Sequence, residues 1–127
     1  MIAEDYVSFE TAKLLKEKGF NCAKDDITAM YDETGKFCSL SSSSEEYYDY
    51  DDFDDKDFIA PTLQMAMKWL RDVHNIHIEI FYSVWSSPRW AFEIIQLPRA
   101  SFVFGQYNER SYEEACESAI KYYLVRI

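Results

Sequence analysis

Ile76-His77-Ile78-Glu79-Ile80-Phe81-Tyr82-Ser83-Val84 is the stretch that decides the fold class. Ile76, Ile78, Ile80, Tyr82 and Val84 alternate with His77, Glu79, Phe81 and Ser83. A period of two sends successive side chains to opposite faces, so the run predicts a pleated strand with one buried face. Ser86, Ser87 and Pro88 punctuate it, and a second alternating run follows over 89–97. There Trp90, Phe92 and Ile94 share one face, and Ala91, Glu93 and Ile95 the other. Pro98 ends that run, because proline cannot donate to a ladder. Residues 101–104 supply a third, shorter strand before Gly105. Three consecutive strands with turn signals between them predict an antiparallel meander.

Helical spacing brackets the meander on both sides. Leu63, Ala66, Met67, Leu70 and Val73 recur at helical intervals and predict a helix over 61–74. Pro61 suits its first turn, where a missing amide proton costs nothing. Met65 and Trp69 fall off the stripe, so this helix is apolar on more than one face. Those two residues are candidate partner contacts or a homodimer seam. After the meander, Ser111 and Glu114 form a capping box, and Tyr112, Ala115, Cys116, Ala119, Ile120 and Tyr123 line one side of a closing helix.

Nearer the N-terminus, Ser8 caps a helix over 9–18 with Phe9, Ala12 and Leu15 as its buried stripe. Lys13, Lys16 and Lys18 crowd the negative end of its dipole, and Gly19 stops it. Runs at 27–31 and 36–40 flank Asp32-Glu33-Thr34-Gly35, a hairpin signal. The order helix, hairpin, acidic segment, helix, meander, helix predicts a single α+β domain over residues 1–127. The expected architecture is an antiparallel sheet, hairpin plus three-stranded meander, with about three helices packed on it. A chain of this length buries roughly two-thirds of its unfolded surface and needs no staples.

Charge is concentrated in one place. Residues 45–58 hold eight acids and one base, Lys56, a net −7 out of −10 for the whole chain. Ser41, Ser42, Ser43 and Ser44 precede the run, and Tyr47, Tyr48, Tyr50, Phe53 and Phe58 thread through it. Acidic runs solvate and repel themselves; aromatic rings bury area against partners. Residues 40–60 break the periodicity and read as a mobile loop or as an edge strand that repels other edges by charge, and two functional readings follow for an acidic aromatic loop at about 41–58. One is a solvated loop. The other is a recognition arm with Tyr47, Tyr48, Tyr50, Asp51, Asp52, Phe53, Asp54, Asp55 and Phe58 as contacts, its charges steering encounter with a basic protein. A special form of the arm is DNA mimicry, in which carboxylates stand in for phosphates. Direct nucleic-acid binding is excluded by the scattered bases and the net charge of −10. The same charge disfavours anionic membranes, and no apolar run approaches the ~20 residues of a spanning helix.

Chemistry-bearing patterns are sparse. Cys22, Cys38 and Cys116 form no close pair, so ribbon-type zinc sites and thioredoxin spacing are excluded, and reduced thiols in a cytoplasmic protein are expected. Glu4 and Asp5 break any signal-peptide pattern at the start. Asp72, His74, His77 and Glu79 sit close in sequence, but metal sites show a firmer ligand spacing, and the group reads as a helix end and an exposed strand face. A calcium loop starting at Asp49 fails at its sixth position, Asp54, and its twelfth, Ala60. Gly19, Gly35 and Gly105 are too far apart for a phosphate loop. No catalytic residue, metal or cofactor is expected; the alternative is an enzyme whose carboxylates meet only in the fold.

Three blocks carry a resemblance. They are Tyr6-Val7-Ser8-Phe9-Glu10 with Lys13-Leu14-Leu15-Lys16-Glu17-Lys18-Gly19-Phe20, then Ala60-Pro61-Thr62-Leu63-Gln64-Met65-Ala66-Met67-Lys68-Trp69-Leu70-Arg71, then Ser111-Tyr112-Glu113-Glu114-Ala115. The chain resembles an uncharacterised family of small proteins from gut anaerobic bacteria, often associated with prophage or mobile elements. The resemblance implies a bacterial or phage cytosol and an accessory role, and it implies no catalytic residue.

Overall fold

A computed structural model describes residues 5–22, 26–39, 55–84 and 89–127. The chain divides into two compact units, Met1–Thr62 and Leu63–Ile127. Among the described residues there are three helices and two three-stranded antiparallel sheets, an α+β protein.

The first unit opens with α1, Phe9–Glu17. The Ser8 hydroxyl accepts from the Thr11 amide at 3.2 Å, satisfying one orphan donor of the first turn. At the other end the Gly19 amide donates to Lys16 O and the Phe20 amide to Leu15 O, with Gly19 at φ +88°. These are the paired bonds of a Schellman cap, and the left-handed residue they require is the glycine. Two short strands follow, β1 at Ala29–Tyr31 and β2 at Phe37–Ser39, paired Ala29 to Ser39, Met30 to Cys38 and Tyr31 to Phe37. Asp32 organises the turn between them. Its carboxylate accepts from the Thr34 amide, the Thr34 hydroxyl and the Lys36 amide, which holds its pKa below the usual carboxylate value.

The third strand of this sheet, β3 at Phe58–Ile59, pairs with β1 on its other side, Met30 opposite Ile59 and Tyr31 opposite Phe58. The last residue of the predicted acidic loop, Phe58, therefore belongs to an edge strand. This also changes the sheet. The hairpin is completed by β3, and hairpin and meander form separate sheets instead of one. Val7, Thr11, Ala12, Leu15, Ala29, Met30 and Ala60 form the core of the unit. Over it lies a chain of rings: Tyr6 to Phe37, Phe37 to Tyr31, Tyr31 to Phe9 and Phe9 to Phe58, each pair with centroids 5.3 to 5.5 Å apart. Tilted and edge-on rings at this spacing add to what area burial alone supplies.

The second unit begins with α2, Leu63–His74, and continues through β4 at Ile76–Ser83, β5 at Arg89–Gln96 and β6 at Ser101–Glu109 to α3 at Tyr112–Arg126. The sheet order β4-β5-β6 is the predicted meander. Strand β6 does not stop at Gly105; it runs on to Glu109. Its pairing with β5 slips twice. Ile94 and Ile95 face Phe104 and Phe102, and Trp90 and Phe92 face Glu109 and Gln106, so the extra residue lies in β6 each time. Bulges bend and twist an edge strand, which discourages pairing with a further strand.

Ile76, Ile78, Phe92 and Ile94 are buried on the sheet, and Leu63, Ala66, Met67 and Leu70 on α2, with Ala115, Cys116, Ala119, Ile120 and Leu124 on α3. The Ser111 hydroxyl accepts from the Glu114 amide at 3.0 Å, one half of the expected box. Val73, predicted on the buried stripe, is 58% exposed. His74 takes the packed place instead, its ring 4.8 Å from Trp69 and 5.9 Å from Tyr123.

One residue, Asn75, turns the chain from α2 into β4, at φ +57°. Its carbonyl accepts from the Leu97 amide at 2.8 Å and from Gln96 Nε2 at 3.1 Å, tying the helix end to the end of β5. Left-handed backbone costs an ordinary side chain about 1–2 kcal/mol, a penalty that Gly and, more mildly, Asn tolerate. Asn75→Val is expected to lower unfolding stability by about 1–2 kcal/mol, while Asn75→Gly stays within about 0.5 kcal/mol; urea unfolding of the three proteins checks both.

Candidate functional site

The C-terminal root of the acidic segment is held by α1. Lys16 lies in the last turn of that helix, and its ammonium donates to the Asp57 carbonyl at 3.0 Å and to the Asp55 carbonyl. The same Nζ sits 4.8 Å from the centroid of the Phe58 ring. Phe58 in turn meets Phe9 edge-on, and Lys13 Nζ lies over Phe9 at 4.7 Å. Hydrogen bonds from a charged donor and a cation over a ring each contribute about 1 kcal/mol at sites that water reaches. The helix thus fixes the backbone of Asp55 and Asp57 just before β3.

Beside this clamp lies a cleft of about 180 Å³ lined by Ala12, Lys16, Phe20, Asp57 and Ile59. Its lining is chiefly apolar. Asp57, the one acid in it, is only 7% exposed.

Of the predicted contacts, Tyr47, Tyr48, Tyr50, Asp51, Asp52, Phe53 and Asp54 lie outside the described residues. Asp55 is exposed in the turn before β3, and Phe58 is half-buried in β3 against Lys16 and Phe9. Met65 and Trp69 are half-buried on α2 in the other unit, with Trp69 packed against His74. The sequence reading missed Lys16, Phe20, Asp57 and Ile59. The signal lies in Lys16: a cation at a helix end, besides complementing the dipole of its own helix, is equally placed to take distant carbonyls.

A second acidic and aromatic surface lies on the second unit's sheet. Glu79 and Glu93 are directly opposite on β4 and β5. The Tyr107 hydroxyl donates to Glu93 at 3.0 Å, and Tyr107 lies 6.1 Å from Phe81. Phe102, opposite Ile95 further along β6, is 62% exposed. Gly105 makes this possible: a Cβ there would stand 2.6 Å from the Tyr107 hydroxyl and 3.3 Å from Glu93 Cγ. The bond to Glu93, with desolvation and the carboxylate's charge, pushes the Tyr107 pKa up.

Burial pushes the Cys116 thiol up to about 11, so it is no thiolate nucleophile at neutral pH. Asp72 pairs with Lys68 on the surface of α2. Among the described residues no three His, Cys, Asp or Glu side chains are grouped to hold a metal ion, and no helix is long and apolar enough to cross a membrane. No family model, curated protein or solved structure matches the chain.

Two measurements check this geometry. Lys16→Met keeps the stem but removes the donors; it is expected to cost about 1 kcal/mol and to speed hydrogen exchange at the Ala60 amide, which bonds Ala29 across β3 and β1. Gly105→Ala is expected to dislodge Tyr107 from Glu93 and bring its titration back down toward the ordinary tyrosine range, read from the ring ¹³Cζ shift. A raised phenol pKa means the folded state holds that proton more tightly. Its contribution to stability is present below the ordinary tyrosine value and is lost as pH rises through the raised one.

Proposed function

We propose that this protein is a small cytosolic accessory protein that binds another protein through the acidic aromatic segment, and that the partner's surface is basic. The observation that carries the reading is the density of residues 45–58, a net −7 interleaved with five aromatic rings. Carboxylates in that number attract a basic surface at long range, and rings supply the short-range burial that makes contacts persist. The clamp at Lys16 supports it. Lys16 holds the backbone of Asp55 and Asp57, and backbone already held has less freedom left to lose on binding. The resemblance to proteins associated with mobile elements agrees with an accessory role, and DNA mimicry is the narrower form of the same chemistry.

Affinity capture from a bacterial lysate, comparing wild type with a variant carrying Asn at 49, 51, 52, 54 and 55, tests the reading. A basic partner retained by wild type and lost by the variant is expected, with thermal unfolding of the variant unchanged. Substitutions at a solvated surface move stability by no more than about 0.5 kcal/mol each, so a loss of cooperative unfolding in the variant would make the segment part of the core structure instead. A nucleic-acid-binding partner narrows the function to mimicry. Equal capture by both proteins removes the segment from the function.

A further inference from the structure

We infer that the open face of the second unit's sheet is a docking surface for a protein segment that presents an arginine, its guanidinium seated between Glu79 and Glu93. No residue of the acidic segment takes part.

Register sets the face. Ile76, Ile78, Phe92 and Ile94 are buried on one side, so the alternate residues of β4 and β5 point to the other. Glu79, Phe81, Glu93 and Ile95 share that side. Phe102 joins them opposite Ile95, and Tyr107 joins them through its contacts with Phe81 and Glu93. Phe102 is 62% and Tyr107 47% exposed. Rings left open on one sheet face are area that a partner can bury.

Charge decides the occupant. Glu79 and Glu93 are directly opposite, where Cβ atoms stand about 5 Å apart and like charges destabilise the pair. Among the described residues no cation pairs with either. The other ionisable groups on this side of β4 and β5 are His77, opposite Ile95, and Arg89, opposite Ser83 and four residues, about 13 Å, from Glu93. Tyr107 donates to one oxygen of Glu93, which leaves the other oxygen and the exposed Glu79 carboxylate to an incoming donor. A cation placed there offsets a repulsion the free protein carries.

Shape decides which cation. A guanidinium is planar and weakly hydrated, with five donors in a fixed fork, so it reaches two carboxylates at once while lying against a ring such as Phe81 or Tyr107. An ammonium is a strongly hydrated point charge. A calcium ion takes six to eight oxygens, more than two carboxylates supply. A nucleic acid is repelled by the pair, and so is a second copy of this chain, which brings −10 of its own.

The test uses the peptide Gly-Ser-Leu-Arg-Leu-Ser-Gly, blocked at both ends, and the same peptide with lysine or citrulline (arginine's shape without its charge) at the centre. Each is titrated into the ¹⁵N-labelled full chain and followed by NMR. The arginine peptide is expected to bind about tenfold tighter than the citrulline peptide, with lysine between, and to shift the amides around Glu79, Glu93 and Tyr107. Glu79→Gln should erase most of that preference while leaving the urea midpoint equal or higher, because it relieves the repulsion. Glu93→Gln should also erase it, and Phe102→Ala should weaken all three peptides. A variant with Asn at 49, 51, 52, 54 and 55 should keep both the preference and the shifts. Equal binding of the arginine peptide and either of the others overturns the docking surface, as does no binding of it at about 1 mM. So does a preference that survives Glu79→Gln, a fall in that variant's midpoint, or unchanged binding by Phe102→Ala. Shifts confined to residues 45–58, or a preference lost in the five-Asn variant, overturn the surface and leave the acidic arm standing. Equal capture from lysate by wild type and the five-Asn variant, with the arginine preference intact in both, removes the arm and leaves the surface.

Discussion

Eight consecutive pairs between β4 and β5, from Ile76 opposite Gln96 to Ser83 opposite Arg89, set the orientation of nearly every residue in the second unit. Because the side-chain period is two, a slip of one residue would move Ile76, Ile78, Phe92 and Ile94 from the helix side to the open side. Burial of each of those side chains is worth about 1.5–3 kcal/mol, so the register is strongly fixed. The helices are then placed by it. Asn75 ties the end of α2 to the end of β5, and α3 lays Ala115, Ala119 and Ile120 against the same buried face. Small residues on α3 let the helix approach the sheet closely.

The first unit is held differently. Its strands have two or three residues each, too short to supply much by pairing. Beside its buried apolar core, the unit is held by the ring chain running from Tyr6 through Phe9 to Phe58 and by Lys16, which binds a segment far along the chain. The candidate site grows out of this economy. Lys16 also forms one wall of the cleft, and Asp55 and Asp57, which it holds, lead into β3 there.

Local signals in the sequence were legible because they act within a few residues. Ser8 and Ser111 cap their helices as their hydroxyls predict, and Gly19 takes the left-handed stop. The alternation over 76–84 and 89–97 was a strand pair in both readings. Where the reading departed, the deciding group lay elsewhere. Val73 has helical spacing but His74 has the rings of Trp69 and Tyr123 to pack against. Gly105 looked like a strand end, yet it is the opening that lets Tyr107 reach Glu93. Of the candidate contacts, the charges and rings were plain in the sequence. The clamp and the cleft were not, because Lys16 and Asp57 are separated by 41 residues.

By itself the sequence determined the α+β class, the caps of the first and last helices, the turn at Asp32 and the placing of most of the negative charge in one run; α2 begins at Leu63, two residues after the Pro61 start expected of it. Backbone dihedrals, capping and hydrophobic period are properties of neighbours in the chain. The tertiary structure alone decided that Phe58 and Ile59 join β1, that the strands divide into two sheets, and that Lys16 turns to the carbonyls of Asp55 and Asp57. Those outcomes depend on which distant groups arrive beside one another. An edge strand accepts whichever backbone reaches it with unpaired donors and acceptors, and a lysine pairs with the acceptors that packing brings within its reach.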